Sequence, residues 1–153
     1  MFNVVLVEPQ IPQNTGNIVR LCAATGMQLI IAGEPGFSLS DRYLKRAGLD
    51  YWEYAHIRHE PDLETYLAQL DMRHSYLLTT KVERPYTHIK PKPGDNFLFG
   101  KETAGLPEWL LKAHSHACAT IPMKNPQARS LNLATSVGIV MYHMLSLYDF
   151  GLL

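Results

Sequence analysis

Phe2, Val4, Val5, Leu6 and Val7 make a nearly unbroken apolar run, broken only by Asn3 and with no alternation of polar and apolar positions. A strand with one wet face alternates. One that does not is covered on both faces, as in a parallel sheet sandwiched between helices. Similar runs follow at residues 28–32, 75–79, 96–99 and 117–121, with a weaker one at 53–57. The intervening segments carry helix signals. Asn14 or Thr15 is placed to cap a helix that continues through residues 17–24 and stops at Gly26. Ser40 precedes a charged helix closed by Gly48, Pro61 opens a helix ending near Leu70, and Pro107 opens a brief one. Ser130 is positioned to start a long terminal helix reaching Tyr148. Strands alternating with helices specify an α/β fold with a parallel sheet flanked by helices. The proline-rich stretch at 83–94 reads as a surface loop.

The chain has 153 residues, 46% of them hydrophobic, so residues 1–153 can form one domain whose core needs no covalent or metal staple. Cys22 and Cys118 lie far apart, with no CxxC or Cys/His cluster, and the seven histidines show no ligand spacing. No metal site and no disulfide framework is expected, and a reducing cytoplasm fits. The opening segment lacks a basic n-region and is interrupted by Glu8 and Pro9, so it reads as a strand and not as a signal peptide, and no apolar run is long enough to span a bilayer. Fourteen basic and fourteen acidic side chains cancel. Composition alone therefore predicts no general field for nucleic acid. The best local basic patch is Arg42, Lys45 and Arg46, on one face of the second helix. It reads either as a phosphate track or as an ordinary solvated face.

The terminal helix is apolar almost all round. Val137, Val140, Met141 and Met144 form one stripe; Leu131, Ala134, Thr135, Gly138 and Tyr142 mark another. A small domain has too few layers to bury both, so the pattern predicts a homodimer built partly on this helix.

Three segments carry chemistry. In Asn14, Thr15, Gly16, Asn17, Ile18, Val19 and Arg20, the residues Asn17 and Arg20 are three apart and share a polar face, where a guanidinium can grip phosphate bidentately. A capped helix with a solvated arginine would read the same. In Phe99, Gly100, Lys101, Glu102, Thr103, Ala104, Gly105, Leu106 and Pro107, a glycine-containing turn leaves a strand at the end where open α/β sheets bind ligands. Gly100 there gives a flat ligand access to backbone and Gly105 permits positive φ, although plain turn glycines look alike. In residues 121–134, Ile121, Met123 and Leu131 offer apolar walls around an irregular loop ending at Ser130, a setting suited to an adenine. No GxGxxG follows the first strand, which disfavours a nucleotide-dependent oxidoreductase.

In this order and at these positions, the three segments resemble the three signature motifs of the SPOUT-class RNA 2′-O-methyltransferases. The resemblance spans essentially the whole chain, includes Arg46, Ala47, Gly48, Leu49, Asp50 and Tyr51, and is closest to the minimal branch that methylates the wobble nucleotide of tRNA. Lys101 and Ala104 depart from that pattern, where proline and arginine are expected, and the third loop is about one residue longer.

The resemblance implies a parallel α/β sheet with a C-terminal deep trefoil knot and a homodimer whose RNA site combines both subunits. It implies S-adenosylmethionine bound by Leu78, Thr79, Gly100, Glu102, Gly105, Ile121, Met123, Ser130 and Leu131. It also implies catalysis by Arg20 with Asn17, Ser130 and Asn132, and a tRNA anticodon stem-loop contacted by Arg42, Lys45, Arg46 and Tyr142. Tyr142 could equally pack in the dimer. Family descriptions often make the motif-one arginine a general base. A guanidinium is effectively always protonated, so a role as phosphate clamp and stabiliser of alkoxide charge is physically preferable. Two alternatives stay open: 2′-O-methylation of another tRNA or rRNA site, and a non-catalytic RNA-binding module of the same fold.

Overall fold

The computed structural model describes residues 1–48 and 51–151. Leu49 and Asp50, part of the segment shared with the family pattern, lie outside the described residues. Among the described residues, six strands form one sheet: β1 (Asn3–Val7), β2 (Gln28–Ala32), β3 (His56–Glu60), β4 (Ser75–Leu78), β5 (Asn96–Phe99) and β6 (Cys118–Ala119). Their order is β3-β2-β1-β5-β4-β6, and every neighbouring pair is parallel. The helices are α1 (Pro12–Thr25), α2 (Arg42–Gly48), α3 (Leu63–Gln69), α4 (Glu108–Ala113) and α5 (Leu133–Ser146).

The unbroken apolar runs now have their reason. Val4 and Leu6 point into one core layer with Ile18, Val19 and Cys22 of α1 and with Val137, Val140, Met141 and Met144 of α5. Val5 and Val7 point the other way, toward Tyr66 and Leu67 of α3 and Leu110 and Leu111 of α4. Both faces of the central strands are therefore dry, and neither can afford a polar residue.

Several boundaries move, each for a local cause. Helix α1 starts at Pro12, not after Asn14 or Thr15: proline suits the first helical turn, and both expected caps are buried inside the helix. Gly26 ends it as expected, at φ 77°. Asp41 rather than Ser40 caps α2, its carboxylate accepting from the Tyr43 and Leu44 amides at 2.7 and 3.3 Å. Residues 52–54 form a 3-10 turn, and β3 begins only at His56. As an edge strand it carries polar residues, including the Arg58–Glu60 ion pair at 2.8 Å, which hide it from an apolarity search. Helix α5 begins after Asn132, whose side chain accepts from the Thr135 amide, and Ser130 stays in the preceding loop.

The chain runs outward from β1 through β2 to β3, then returns to place β5 on the other side of β1. Open α/β sheets bind ligands at the carboxyl ends of strands flanking such a reversal. The stretch after β4 is more than a surface loop: Ile89 is buried in the core, and residues 84–86 lie along the end of β6. There the Thr120 amide donates to the Arg84 carbonyl, and the Tyr86 amide donates to the Thr120 carbonyl, both at 2.8 Å.

Candidate active site

The carboxyl ends of β4 and β5, the segment that follows β6 and the start of α1 surround one cavity of about 470 Å³. That volume lies within the range of small-molecule sites, about 300–1,000 Å³. Glu102, in the turn after β5, fastens its parts together. One carboxylate oxygen accepts from the Gln10 amide at 2.8 Å; the other accepts from the Ile11 amide at 3.0 Å and from Asn14 Nδ2 at 3.1 Å. A negative charge thus sits at the positive end of α1, whose N-cap, Ile11, has no side chain able to do that work.

Asn14 passes the connection onward. Its Oδ1 accepts from Asn132 Nδ2 at 3.0 Å, and Asn132 Oδ1 accepts from the Thr135 amide at 3.1 Å. Each amide donates on one side and accepts on the other, so a directed chain of hydrogen bonds links the Glu102 turn, the start of α1 and the start of α5. This explains why Asn132 rather than Ser130 caps α5: only Asn132 satisfies both the helix end and Asn14.

Gly100 serves its own loop. A Cβ there would collide with the backbone of Gly105 and Leu106, which fold back against it. The absent side chain is thus required by the turn itself, and Gly100 also lines the cavity. Gly105 has φ 72° and its amide donates to the Lys101 carbonyl at 2.8 Å, closing the turn.

All nine positions expected at the cofactor line the cavity: Leu78, Thr79, Gly100, Glu102, Gly105, Ile121, Met123, Ser130 and Leu131. Asn132 lines it too. The apolar side chains supply walls for a flat heterocycle, while Thr79, Ser130 and loop backbone offer polar contacts at the rim; this donor set fits an adenosine-bearing cofactor. At the mouth Lys81 bonds Glu108 at 3.2 Å, and that hydrogen bond holds the Glu108 carboxyl below its ordinary pKa. Among the described residues, no three His, Cys, Asp or Glu gather as a metal site, and no helix is long and apolar enough to cross a membrane.

The remaining expected residues lie elsewhere. Asn17 and Arg20 are exposed on α1 and do not line the cavity of their own chain. The Arg20 guanidinium carbon lies 4.9 Å from the ring centroid of Tyr51. Arg42 is folded against Tyr43, donating to its hydroxyl at 2.9 Å, while Lys45 and Arg46 are exposed in the last turn of α2. Tyr142 is 45% exposed on α5.

Sequence reasoning weighed Asn14 only as a helix cap and gave Tyr51 no role of its own. The signal for Asn14 was present: residues 14, 18 and 22 share one helical face, so an asparagine there is buried beside Ile18 and Cys22 and must find partners. No local pattern announces Tyr51 as a partner of Arg20.

Residues 1–142 match the sequence profile of the SpoU rRNA methylase family. The chain belongs to this family. It is 44% identical over 152 residues to a tRNA (cytidine(34)-2′-O)-methyltransferase of Methylovorus glucosotrophus (strain SIP3-4), covering 99% of this chain and 98% of that protein. A solved structure concerned with 2-OH methylation of C/U34 on tRNA superposes with a TM-score of 0.87 at 38% identity, over 95% of this chain and 89% of the other. An AdoMet-bound rRNA methyltransferase from Sinorhizobium meliloti superposes with a TM-score of 0.77 at 27% identity, over 95% of this chain and 56% of that one.

Proposed function

We propose that this chain transfers a methyl group from S-adenosylmethionine to the ribose 2′-oxygen of the wobble nucleotide of tRNA, position 34. The observation that carries the reading is the Glu102–Asn14–Asn132 chain. It draws the three motif segments into one cavity with apolar walls and a polar rim, in a family member 44% identical to an enzyme named for this reaction. When bound there, S-adenosylmethionine supplies an electrophilic methyl group. Ile121, Met123 and Leu131 would supply apolar contact to its heterocycle, and Gly100, Gly105 and the backbone around them would hold its orientation.

Alignment of the attacking oxygen falls to residues on the RNA side. Arg20, permanently charged, grips the neighbouring phosphate and stabilises negative charge growing on the 2′-oxygen; Asn17, Ser130 and Asn132 orient the ribose. The hydroxyl proton leaves through that phosphate or a water. Because Arg20 and Asn17 do not line the cavity of their own chain, we assign them to the cavity of a second copy. A homodimer is supported by the apolar surface that α5 leaves uncovered, where Ile139, Tyr142 and Leu147 are exposed. Exposed Lys45 and Arg46, with Arg42 once it leaves the Tyr43 hydroxyl, then follow the phosphates of the anticodon stem. The contacts between residues 84–86 and Thr120 support a trefoil knot in which the end of β6 passes through the preceding loop. The setting is the cytoplasm, where the tRNA is.

The test is mass spectrometry of tRNA and rRNA nucleosides after incubation with the purified protein and S-adenosylmethionine. The expected product is a 2′-O-methyl group at the wobble ribose; methylation elsewhere alone, or none, refutes the assignment. Arg20→Ala is expected to abolish transfer while cofactor affinity by calorimetry is retained, and Arg20→Lys also fails because ammonium lacks the planar fork. Equal loss of cofactor binding in the alanine variant would show that Arg20 acts elsewhere.

A further inference from the structure

Arg20 projects from the exposed face of α1, where a side chain with four rotatable bonds samples many positions. Among the described residues its close partner is not a carboxylate but the ring of Tyr51, with the guanidinium carbon 4.9 Å from the ring centroid. The choice of partner matters chemically. A carboxylate would occupy the N–H edge of the guanidinium and cancel its charge. An aromatic ring attracts the cation through its face and leaves the edge, where the donors lie, open.

Tyr51 is itself well held. Its carbonyl accepts from the amides of Tyr54 and Ala55 at 3.0 and 3.1 Å, forming the 3-10 turn that leads into β3, and the adjacent Trp52 packs against the core. The backbone that carries the ring is thus anchored by the turn, beside a longer and more flexible side chain.

We infer that Tyr51 is a positioning residue for methyl transfer, holding the Arg20 guanidinium by its face so that its N–H edge is presented to the RNA phosphate and reacting hydroxyl. This rests on the role proposed for Arg20. The ring reduces the freedom that Arg20 would otherwise lose on engaging RNA, so its removal acts on the step in which the guanidinium is engaged. The aromatic face and not the phenol hydroxyl is the working part.

The experiment compares wild type with Tyr51→Leu, Tyr51→Phe, Tyr51→Trp and Arg20→Ala. It measures kcat and KM for tRNA methylation, cofactor binding by calorimetry, and Arg20 Nε relaxation by NMR. Tyr51→Leu is expected to lower kcat about 2- to 5-fold, the range corresponding to one solvent-exposed cation–π contact, with KM and cofactor affinity little changed. Its Arg20 Nε–H becomes more mobile. Phenylalanine and tryptophan restore both rate and rigidity. In the Arg20→Ala background, Tyr51→Leu is expected to cause no further loss of tRNA affinity.

The inference is overturned if Tyr51→Leu retains the wild-type rate while Arg20→Ala is inactive, or if Phe and Trp fail to rescue. It is also overturned if the leucine variant loses cofactor affinity in step with rate, as a merely structural residue would. A fully active Arg20→Ala would instead remove the role of Arg20 on which the inference rests, and the two failures are thereby told apart.

Discussion

Replacing Glu102 probes the cavity at its most connected point. Its carboxylate accepts three hydrogen bonds, at 2.8, 3.0 and 3.1 Å, two of them from backbone amides that have no other acceptor within the start of α1. A hydrogen bond to a charged group contributes about 1.5–3 kcal/mol, and partial solvent access at this site puts each bond at or below the low end of that range. Glu102→Ala is therefore expected to cost about 3 kcal/mol, which for a chain of this size lowers Tm by about 6–12 °C. Glu102→Gln keeps one acceptor oxygen but turns an amide donor toward other donors, so it should cost about half as much. Thermal unfolding followed by circular dichroism gives the stability, and calorimetry with S-adenosylmethionine gives the affinity. The affinity should fall at least tenfold in both variants because the Glu102 turn and the start of α1 are no longer fixed to each other. A double-mutant cycle with Asn14→Ala should show coupling, since the two side chains share one bond. A glutamine variant that melts with wild type and binds cofactor normally would refute the view that this carboxylate organises the cavity.

Gly100→Ala should abolish cofactor binding and lower Tm, because the added methyl meets backbone of Gly105 and Leu106 and not a side chain able to move; normal binding by calorimetry would contradict this. Burial raises Cys22 and Tyr66 to about 12 each, above their ordinary values of 9.0 and 10.0. The folded state thus holds these protons more tightly than the unfolded chain. The stability they contribute is complete below about pH 9 and is lost as pH rises toward 12, so urea midpoints should fall across that interval. The same burial should keep Cys22 unreactive toward thiol reagents at pH 8 until the protein unfolds. Tyr142→Asp, which puts a charge on the exposed face of α5, should shift sedimentation from dimer to monomer and reduce methylation, while an unchanged dimer would exclude this face as the interface.

What could be read in the sequence follows from whether the physical cause was local. The central strands were legible because burial on both faces removes alternation, as Val4 with Leu6 and Val5 with Val7 now illustrate. Gly26 was legible as a helix end because the left-handed conformation it adopts is a property of one residue. Strand β3 was displaced because an edge strand such as His56–Glu60 answers to its neighbour's backbone and not to a core. The start of α5 was misplaced because Ser130 and Asn132 are both competent caps, and the choice was made by Asn14, 118 positions away. The pairing of residues 84–86 with Thr120 has no sequence signature at all, since backbone hydrogen bonds carry no side-chain record.

The candidate site divides in the same way. Residues that line the cavity were reached through family resemblance, because each motif is a contiguous segment, one in the first turns of α1 and two in loops after strands. The bonds that make three segments into one cavity were not, because a carboxylate can accept from any amide within reach and Glu102 alone does not say whose. The turn Gly100–Gly105 gives no sign of what its glutamate serves, since Lys101, Thr103 and Ala104 beside it suit any exposed turn; the charge is explained by the amides of Gln10 and Ile11, just ahead of α1. The carboxylate and the two backbone amides it serves are 92 and 91 positions apart in the chain, so neither side of the interaction can be read from its own neighbourhood.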